Sequence, residues 1–548
     1  MQTGAAEKFF NTAGPVREEM NYMVDPLRRI DYGAIMSLIN RQRYFVLHAP
    51  RQTGKTTSLL AMVKEINGEG NYLCVYMNVE AAQTARNDVD AGMRAILYEF
   101  GRAIAEIKEP VAPVQPISSI IEDVGGHVAL LKALSDCCTR LPKPLVLFID
   151  EIDALIGDVL VSVLRQLRTG YADRPRAFPI SVVLCGVRDV RDYRIHQSDG
   201  EIITGGSCFN VKAESLRLGD FSQSEIRELY EQHTEATGQV FDDGVYPNAW
   251  RLTHGQPWLV NALANYATSK LPEGRDRKTP VTPDIIEHSA EALIRERATH
   301  LDQLADKLRE GRVRRVMAPM VAGEHWPQGA EQPTADDIQY VIDLGLIRRD
   351  GPNGKTLVIS NDIYREIIPR ELTAIMQDNL TSRAEQPWYV ADDGRLDMPG
   401  LLRDFRQFFR ENAGSWTQDY EYKEAGFQLM LQAFLQRVVN GGGFIGREYA
   451  LGSGRVDLLV RWRRPGGAST RGQTEQRIVL ELKTVRQGRS SASVLAQGLE
   501  QTARYADASG ADEAHLVICD ERPGRGWDEK IYEREEKIGD RTIHIWGM

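Results

Sequence analysis

Apolar positions in the first 220 residues change their spacing repeatedly, from short continuous runs to a helical period and back. Segments between the runs place apolar residues at helical spacing, most clearly at 89–107 and 128–139. The runs themselves are rich in strand-forming residues and lie at 44–47, 72–79, 145–149, 181–187 and 211–218. Because strands that alternate with helices assemble into parallel sheets, this part of the chain is predicted to form an α/β fold.

The loop after the first predicted strand has the residues of a phosphate-binding loop. Backbone N–H groups of such a loop, together with the N-terminus of the following helix, face nucleotide phosphates. Lys55 is predicted to reach the same phosphate oxygens, and the hydroxyl of Thr56 to ligate Mg²⁺. Ala49 replaces the first glycine of the usual pattern. We expect ATP to bind a loop that comprises Ala49, Pro50, Arg51, Gln52, Thr53, Gly54, Lys55, Thr56 and Thr57.

The third predicted strand ends in two acids, the second motif expected beside a phosphate-binding loop. Asp150 is predicted to hold Mg²⁺ through water, and Glu151 to activate the attacking water as a general base. Arg188 follows the fourth predicted strand. If that strand lies between the two nucleotide motifs, Arg188 reaches the γ-phosphate as a sensor. The alternative is an ion pair with Asp189 or Asp192.

Four segments together resemble the AAA+/STAND group of P-loop ATPases, close to its ORC-like and archaeal branch. They are the APRQTGKTT loop, the LFIDE strand, the GVRD strand end and the HGQPW turn. The resemblance implies an ATPase core over 1–220 and a helical lid over 221–300, in which Pro257 touches the nucleotide. It also implies that nucleotide state is coupled to assembly or conformation, and we expect a homo-oligomer. Arg165 or Arg168 could then act on a neighbouring subunit, or both could be ordinary surface arginines.

Two predicted helices and a predicted hairpin occupy residues 301–375. The helices cover 313–321 and 335–344, and the strands flank a Gly-Pro-Asn-Gly turn at 351–354. This order suggests a winged-helix domain, the usual companion of the ATPase branch named above. Its basic residues could meet DNA phosphates, but packing against the lid is the interpretation we favour. Residues 376–415 are predicted to be a linker that contains one bridging helix.

Charged residues on predicted strands within 416–548 suggest phosphodiester cleavage. Asp457 and Glu481 can share a divalent metal with the carbonyl group of Leu482. Because alternate residues of a strand point to one face, Lys483 is expected beside Glu481. Lys483 can then orient the attacking water and neutralise the developing phosphate charge. Mg²⁺ is the expected ion, with Mn²⁺ as an alternative.

These residues resemble the PD-(D/E)XK nuclease superfamily, with Asp457, Glu481 and Lys483 in the defining positions. Gln501 and Tyr505, four residues apart on a predicted helix, match the helix motif of RecB-like members. The resemblance therefore implies an α/β nuclease-like domain over 416–548, in which both helix residues belong to the catalytic site.

The C-terminal residues depart from the superfamily pattern at one position, and the identity of one further metal ligand is left open. Val456 precedes Asp457, where proline is common in the superfamily. A further metal ligand could come from Glu424 or Glu448, of which we prefer Glu424. The order of ATPase core, lid, winged helix and nuclease-like domain is also similar to archaeal ATPases that end in such a domain.

Composition limits the partners that these motifs allow. The 548 residues are too many for one core, and the formal net charge is −10. Binding to nucleic acid therefore depends on local basic patches, for which the candidates are Arg461, Arg463, Arg464, Arg486 and Arg489. The sequence has neither a membrane-length apolar run nor a signal-peptide pattern, so we expect a cytoplasmic protein without membrane contact. Six scattered cysteines predict buried, reduced thiols.

Together these patterns predict an ATP-controlled, Mg²⁺-dependent nuclease, with DNA as the expected substrate. Nucleotide state would set access to the C-terminal site, and a defence role against foreign DNA suits such a fusion. A partner protein or another trigger could provide the activating signal. The alternative is a regulatory ATPase whose C-terminal domain binds nucleic acid or a partner without cleaving it. A helicase-like motor is a third interpretation, although the sequence shows no recognisable helicase motif set.

Overall fold

The structure, a computed structural model, divides the chain into two compact units. The first comprises Met1–His300 and Ile338–Asn361, and the second comprises Leu301–Asp337 and Asp362–Met548. Segment 338–361 thus belongs to the first unit, although the chain on either side of it belongs to the second. The residues described are 7–107, 117–188, 194–196, 202–204, 212–296, 304, 306–321, 333–351, 354, 356–372, 389–391, 393–419, 427, 431, 434–435, 443–451, 454–463, 475–485, 490–520, 522 and 525–548.

A five-stranded parallel sheet forms the centre of the first unit. The strands of this region are β1 (Tyr44–His48), β2 (Leu73–Asn78), β3 (Leu145–Asp150), β4 (Ser181–Gly186), β5 (Arg194–His196), β6 (Ile202–Thr204) and β7 (Lys212–Arg217). The order in the sheet is β2-β3-β4-β1-β7, while β5 and β6 form a separate antiparallel pair. The predicted parallel α/β sheet is confirmed, and β4 lies between β1 and β3.

Helices cover both faces of this sheet. Along β1, Tyr44 and Val46 pack into a core with the helices Val89–Ala105, Gly126–Cys138 and Gly157–Thr169, whereas Phe45 and Leu47 pack into a second core with the helices Tyr32–Asn40 and Lys55–Glu69. Burial on both faces explains why the strands are continuous apolar runs. The helices are α1 (Tyr32–Asn40), α2 (Lys55–Glu69), α3 (Val89–Ala105), α4 (Ile117–Val124), α5 (Gly126–Cys138) and α6 (Gly157–Thr169).

A group of helices follows β7. They are α7 (Gln223–Thr237), α8 (Val245–Thr253), α9 (Pro257–Asn265) and α10 (Pro283–Arg295). A capping box precedes α7: the Glu225 carboxylate accepts a hydrogen bond from the Ser222 N–H at 2.7 Å, and the Ser222 hydroxyl accepts one from the Glu225 N–H. Pro257 occupies the first turn of α9, where its missing N–H leaves no helical hydrogen bond unmade.

The elements predicted for a winged helix are present, although the domain itself stays a prediction. They are α11 (Gly311–Val321), α12 (Ala335–Asp343), β8 (Ile347–Asp350) and β9 (Thr356–Ile359). The two strands pair antiparallel, with Ile347 opposite Ile359. Within the first unit, Gly345 approaches the phosphate loop so closely that an added Cβ atom would lie 2.8 Å from the Pro50 side chain. The turn before β8 therefore packs on the loop between β1 and α2.

A six-stranded mixed sheet forms the C-terminal part of the second unit. Its strands are β10 (Gly443–Leu451), β11 (Gly454–Arg463), β12 (Glu475–Val485), β13 (Glu513–Asp520), β14 (Tyr532–Ile538) and β15 (Arg541–Gly547), in the order β10-β11-β12-β13-β15-β14. Strand β12 runs antiparallel to β11 and parallel to β13. The helices of this unit after β9 are α13 (Asp362–Leu372), α14 (Met398–Asp419), α15 (Ser491–Ser509) and α16 (Trp527–Lys530).

Side chains of the second sheet alternate between two cores. Leu458 and Leu480 pack with Phe405 of α14 on one face, whereas Val479 packs with Leu499 of α15 on the other. The predicted strand that carries Glu481 and Lys483 and the predicted helix that carries Gln501 and Tyr505 are thus present as β12 and α15.

Of the described part of the chain, no helix combines the length and hydrophobicity needed to cross a bilayer. The described cysteines are buried free thiols, as predicted, at Cys74, Cys137, Cys138, Cys185 and Cys519.

Two glycines with the same backbone conformation allow a test of packing at the turn before α9. Gly238 and Gly255 both have φ of +79°, but a Cβ atom at Gly255 would lie 1.9 Å from the Phe221 carbonyl oxygen, while one at Gly238 meets nothing within 4 Å. Gly238→Ala is expected to cost about 1–2 kcal/mol through backbone strain alone. Gly255→Ala is expected to cost about 1–3 kcal/mol more, because the turn must also move. Urea denaturation measures both losses, and equal losses would contradict this account of the turn.

Candidate functional site

The phosphate loop joins the carboxyl end of β1 to α2. Gly54 precedes α2 with φ of 84°, a left-handed conformation that glycine adopts without strain. Ala49, at the position where the usual pattern has glycine, is fully buried and donates its N–H to the Gly186 carbonyl at 3.2 Å. Ala49 thus extends the pairing of β1 with β4, which explains why alanine fits there.

Lys55, the first residue of α2, is buried and folded back on the loop. Its Nζ donates hydrogen bonds to the carbonyl oxygens of Ala49 and Pro50, each at 3.0 Å. The Thr53 hydroxyl donates to the Pro50 carbonyl at 2.8 Å and braces the same turn. The ammonium group is therefore held beside the N-terminus of a helix, where phosphate binding is favoured.

The other residues of the loop connect it to neighbouring segments of the first unit. Arg51 is exposed. Gln52 has a positive φ of 58°, and its carbonyl oxygen accepts a hydrogen bond from the Gln256 side chain at 3.4 Å. The Thr57 hydroxyl accepts a hydrogen bond from the Val16 N–H at 3.2 Å. The N-terminal segment and the turn before α9 therefore both contact the loop.

Thr56 and Asp150 meet at the carboxyl edge of the sheet. The Thr56 hydroxyl donates to Asp150 Oδ2 at 2.8 Å, and Asp150 is fully buried. Hydroxyl and carboxylate oxygens are ligands that Mg²⁺ prefers, so these residues fit the predicted metal. Tyr76, which sequence reasoning missed, donates its hydroxyl to the same Oδ2 at 2.9 Å. Burial, reinforced by the Asp150 charge, raises the pKa of Tyr76, so the hydroxyl stays a donor.

Glu151 follows β3 in a left-handed conformation with φ of 57°. Burial raises the pKa of its carboxyl group, and the negative charges of Asp153 and Asp150 raise it further. The cations Lys55 and Arg51 act in the opposite direction. A raised pKa makes a carboxylate a better proton acceptor, which suits the general base that the sequence predicted.

Arg188 at the end of β4 is buried, with 7% of its surface exposed. Its Nε lies 3.4 Å from Asp343 Oδ2, and its guanidinium group lies 4.7 Å from the centre of the Tyr340 ring. The predicted alternative partners, Asp189 and Asp192, lie outside the described residues. The partner that the structure shows is an aspartate 155 residues away in sequence. A sensor role for Arg188 stays a prediction.

A cleft beside the phosphate loop is lined by Gly54, Thr57 and Pro257. The HGQPW turn is therefore placed next to the loop, and contact of Pro257 with a nucleotide stays a prediction. Two polar residues that sequence reasoning missed, Arg29 and Asn261, line the same cleft. Burial lowers the pKa of Arg29 to about 10, partly offset by nearby acids, and its guanidinium group stacks 4.8 Å from the Phe221 ring. Asn261 lies one helical turn after Pro257, which is the only sequence signal that pointed to it.

The arginines proposed for a neighbouring subunit, Arg165 and Arg168, lie on α6 and are exposed. Neither residue is among those that line the cleft beside the phosphate loop. Their exposure is compatible with action on a neighbouring subunit and with ordinary surface arginines, so a role across a subunit boundary stays a prediction.

Asp457 and β12 meet in the second unit. Asp457 Oδ2 accepts a hydrogen bond from the Leu482 N–H at 2.8 Å, so the carboxylate lies against the backbone between Glu481 and Lys483. The Lys483 Nζ donates to Glu481 Oε1 at 2.6 Å. The structure therefore brings the three residues of the predicted motif together around the Leu482 backbone.

Glu481 is the most unusual of these groups, because it is only 3% exposed and its Oε2 has no hydrogen-bond partner. Burial, followed by repulsion from Asp457, raises the pKa of Glu481 to about 7. Lys483 and a backbone hydrogen bond at Asp457 lower the pKa, but they do not offset the two larger effects. One oxygen of the carboxyl group, Oε2, therefore lacks a partner that would stabilise the negative charge.

Helix α15 packs against this site. A Cβ atom at Gly498 would lie 3.3 Å from the Lys483 side chain, so the helix approaches closely. Gln501 on the same helix has a buried side-chain oxygen without a hydrogen-bond partner. Tyr505 is buried, and its hydroxyl lies 3.5 Å from a nitrogen of Arg504. Glycine at position 498 thus permits the approach of the helix that carries the Gln501 and Tyr505 motif.

A divalent metal fits part of this donor set. Asp457 and Glu481 supply carboxylates, and the orphaned Glu481 oxygen is the kind of atom that a cation would satisfy. Within the described ranges, no group of three or more His, Cys, Asp or Glu side chains is placed to hold a metal. The Leu482 carbonyl and water would have to complete the shell, and the predicted ligand Glu424 lies outside the described residues.

Residues 39–193 match the protein family described as an AAA domain. The phosphate loop and the acidic pair lie inside that range. This part of the chain is therefore an AAA-type P-loop ATPase domain. A search of curated proteins found no match.

Several solved structures show similarity over the larger part of the chain. The Walker-type ATPase of Pyrococcus abyssi is 12% identical with a TM-score of 0.46, over 66% of this chain and 99% of that one. The ORC2 protein of Aeropyrum pernix is 13% identical with a TM-score of 0.39, over 66% and 96%. The RuvB Holliday junction branch migration motor of Thermotoga maritima is 15% identical with a TM-score of 0.30, over 61% and 91%.

The buried pair of Arg188 and Asp343 is expected to stabilise the first unit strongly. Arg188→Ala leaves the Asp343 carboxylate without its cation in a site where that side chain is 4% exposed. We expect the free energy of unfolding to fall by about 3–5 kcal/mol. The control is Arg165→Ala, which removes an exposed arginine and should change stability by less than about 0.5 kcal/mol. Equal effects of the two substitutions in chemical denaturation would show that the ion pair is not structural.

Glu481→Gln is expected to stabilise the metal-free protein at high pH. The folded-state pKa of about 7 lies above the ordinary 4.5, so the unfolded chain releases this proton first as pH rises. Glu481 therefore lowers the free energy of unfolding by a growing amount as pH rises from the first value to the second, and the full loss remains at higher pH. At pH 8 with a chelator, we expect Glu481→Gln to gain about 1–3 kcal/mol, and at pH 4 to gain little.

Calorimetry at several pH values measures this difference. The control is Glu500→Gln, which changes an exposed glutamate on α15. A gain from Glu481→Gln that is independent of pH, or that grows as pH falls, would contradict the assignment of the cost to a buried carboxylate.

Proposed function

We propose that this protein is an ATP-controlled, Mg²⁺-dependent nuclease that cleaves DNA. The observation that carries the proposal is the Glu481 carboxylate, which is buried with one oxygen bonded to Lys483 and the other without a partner. A buried charge is costly unless it is paired or coordinates a metal. The neighbouring Asp457 adds a second carboxylate beside the Leu482 backbone, and together they make a divalent cation the best-fitting occupant.

The roles in cleavage follow from these positions. Asp457, Glu481 and the Leu482 carbonyl would hold Mg²⁺ or Mn²⁺, with Glu424 as a further proposed ligand. When bound, the ion supplies a lowered pKa for its water and polarises the phosphoryl oxygens. Lys483 would orient the attacking water and neutralise negative charge on the phosphate.

Gln501 and Tyr505 are proposed as helix residues that position the substrate or the attacking water. Gln501 has a buried side-chain oxygen without a hydrogen-bond partner, and α15 packs closely on β12 through Gly498. The unpaired oxygen would accept a hydrogen bond from the water or from the substrate.

The ATPase site is proposed to act as the control element. ATP would bind the loop from Ala49 to Thr57, with Thr56 and Asp150 holding Mg²⁺ and Glu151 as general base. Pro257 would contact the nucleotide from the lid, and Arg188 would sense the γ-phosphate. The Asp343 carboxylate, which lies 3.4 Å from the Arg188 Nε, would compete with the nucleotide for this guanidinium group.

Segment 338–361 supports coupling between the ATPase site and the rest of the chain. It contacts the loop at Pro50 through Gly345 and contacts Arg188 through Asp343. The chain enters this segment from the second unit and leaves it into the second unit again. A nucleotide-dependent change at Pro50 or Arg188 would therefore act directly on a segment that is covalently continuous with the nuclease-like unit.

The wider setting is proposed from the fusion of an ATPase with a nuclease-like domain. We propose a homo-oligomer in the cytoplasm that acts against foreign DNA when a partner or another trigger signals. This setting is proposed from the order of the domains. The proposed chemistry is argued from the sites instead, because one fold can serve many functions.

Plasmid cleavage with the purified full chain tests the proposal. With Mg²⁺ and ATP, we expect the wild-type protein to nick supercoiled plasmid, and Glu481→Ala to lose at least about 100-fold in rate, because one metal ligand and the partner of Lys483 are gone. ATP hydrolysis by Glu481→Ala should stay near the wild-type rate. Lys55→Ala should lose ATP hydrolysis and alter the ATP dependence of nicking.

Three outcomes separate the alternatives. Nicking that survives Glu481→Ala would overturn the nuclease assignment. Robust plasmid binding without nicking would favour a regulatory ATPase whose C-terminal domain only binds. Nicking that is indifferent to both ATP and Lys55→Ala would leave a nuclease but remove the proposed control.

A further inference from the structure

The cleft beside the phosphate loop is partly open to solvent. Its walls are largely apolar, with Val24, Pro26 and Leu229 among the residues that line it. Gly54 and Thr57 of the loop region line the same cleft. An apolar cleft that ends at a phosphate loop is the right place for the base of a nucleotide whose phosphates lie on the loop.

Asn261 is the polar residue that distinguishes this cleft. It is only 7% exposed, and its side-chain oxygen has no hydrogen-bond partner. Its side-chain nitrogen donates to the carbonyl of Pro257, one turn earlier in α9, at 2.9 Å. That bond orients the amide, because the opposite orientation would place two acceptor oxygens against each other. The Asn261 atom without a partner is therefore the side-chain oxygen, a hydrogen-bond acceptor.

We infer that Asn261 selects adenine over other purine bases by accepting a hydrogen bond from the exocyclic amino group. Adenine presents a donor at that position, whereas hypoxanthine and guanine present a carbonyl oxygen there. An acceptor facing a carbonyl oxygen leaves both groups unsatisfied in a mostly buried site, which is strongly unfavourable. The inference rests on the nucleotide binding proposed above and adds a residue that decides which base is bound.

Arg29 adds a second unpartnered polar atom to the cleft. Its Nε has no hydrogen-bond partner, while another nitrogen of the guanidinium group donates to the Gly219 carbonyl. A Cβ atom at Gly54 would lie 3.0 Å from the third nitrogen, so the group lies against the phosphate loop. Arg29 thus offers a donor where Asn261 offers an acceptor, a combination that matches the amino group and ring nitrogen of adenine.

Nucleotide affinity of the full chain tests the inference with ATP and inosine triphosphate, which differ at the exocyclic position. The wild-type protein is expected to bind ATP about tenfold more tightly than inosine triphosphate. Asn261→Leu keeps the size of the side chain and removes the acceptor. This variant is expected to lose about tenfold in affinity for ATP and to bind inosine triphosphate within about twofold of wild type.

The matched control is Asn265→Leu, the same substitution one turn later on α9. This control should leave both affinities unchanged. An equal loss for ATP and inosine triphosphate in Asn261→Leu would overturn the inference, since the residue would then support the cleft without reading the base. A loss for ATP with none for 2′-deoxy-ATP would overturn it as well, because the acceptor would then read the ribose.

Failure of nucleotide binding itself is distinguishable from failure of this inference. Lys55→Ala should weaken the binding of both nucleotides by a similar factor, because Lys55 is predicted to reach the phosphates, which ATP and inosine triphosphate share. If the wild-type protein binds neither nucleotide, or binds them with no dependence on Lys55, the ATP site is wrong. If binding depends on Lys55 but the two nucleotides bind equally well, only the role of Asn261 is wrong.

Discussion

The hydrogen bond between Thr56 and Asp150 depends on where the strands of the first sheet end. It forms because β1 and β3 are parallel and reach the same edge, with β4 between them. The same edge receives the phosphate loop from β1, the acidic pair from β3 and Arg188 from β4. Ligands of open parallel sheets bind beyond the carboxyl ends of the strands for this reason. A slip of one residue in either pairing would turn these side chains to the other face.

Buried charge is handled differently in the two units. In the first, Arg188 has an aspartate and an aromatic ring as partners, so its charge is compensated within the fold. In the second, Glu481 has one lysine for two oxygens and lies near another carboxylate. A compensated ion pair stabilises the packing of the elements that carry it. An incompletely compensated carboxylate destabilises the fold, and a bound cation can remove that destabilisation. The first is therefore suited to a conformational contact and the second to binding.

Segment 338–361 connects the two proposed activities more directly than the order of domains suggests. Sequence patterns place it inside a winged helix, but it packs within the first unit and touches Pro50 and Arg188. Contact with the phosphate loop at one end and chain continuity with the second unit at both ends give it the position of a coupling element. The proposed control of the second unit would then need only a change in how this segment packs.

Local patterns in the sequence were sufficient for the parallel sheet, the phosphate loop, the acidic pair, the capping box at Ser222 and the strand and helix that carry Glu481 and Gln501. These features depend on residues that are close together along the chain, so their spacing can be read from the sequence. Tyr76, Asp343, Asn261 and Arg29 escaped notice because their roles come from contacts with residues far away along the chain. Asp343 meets Arg188 across 155 positions, and Tyr76 meets Asp150 across 74. Such partners are chosen by packing in three dimensions, and only the tertiary structure decided them.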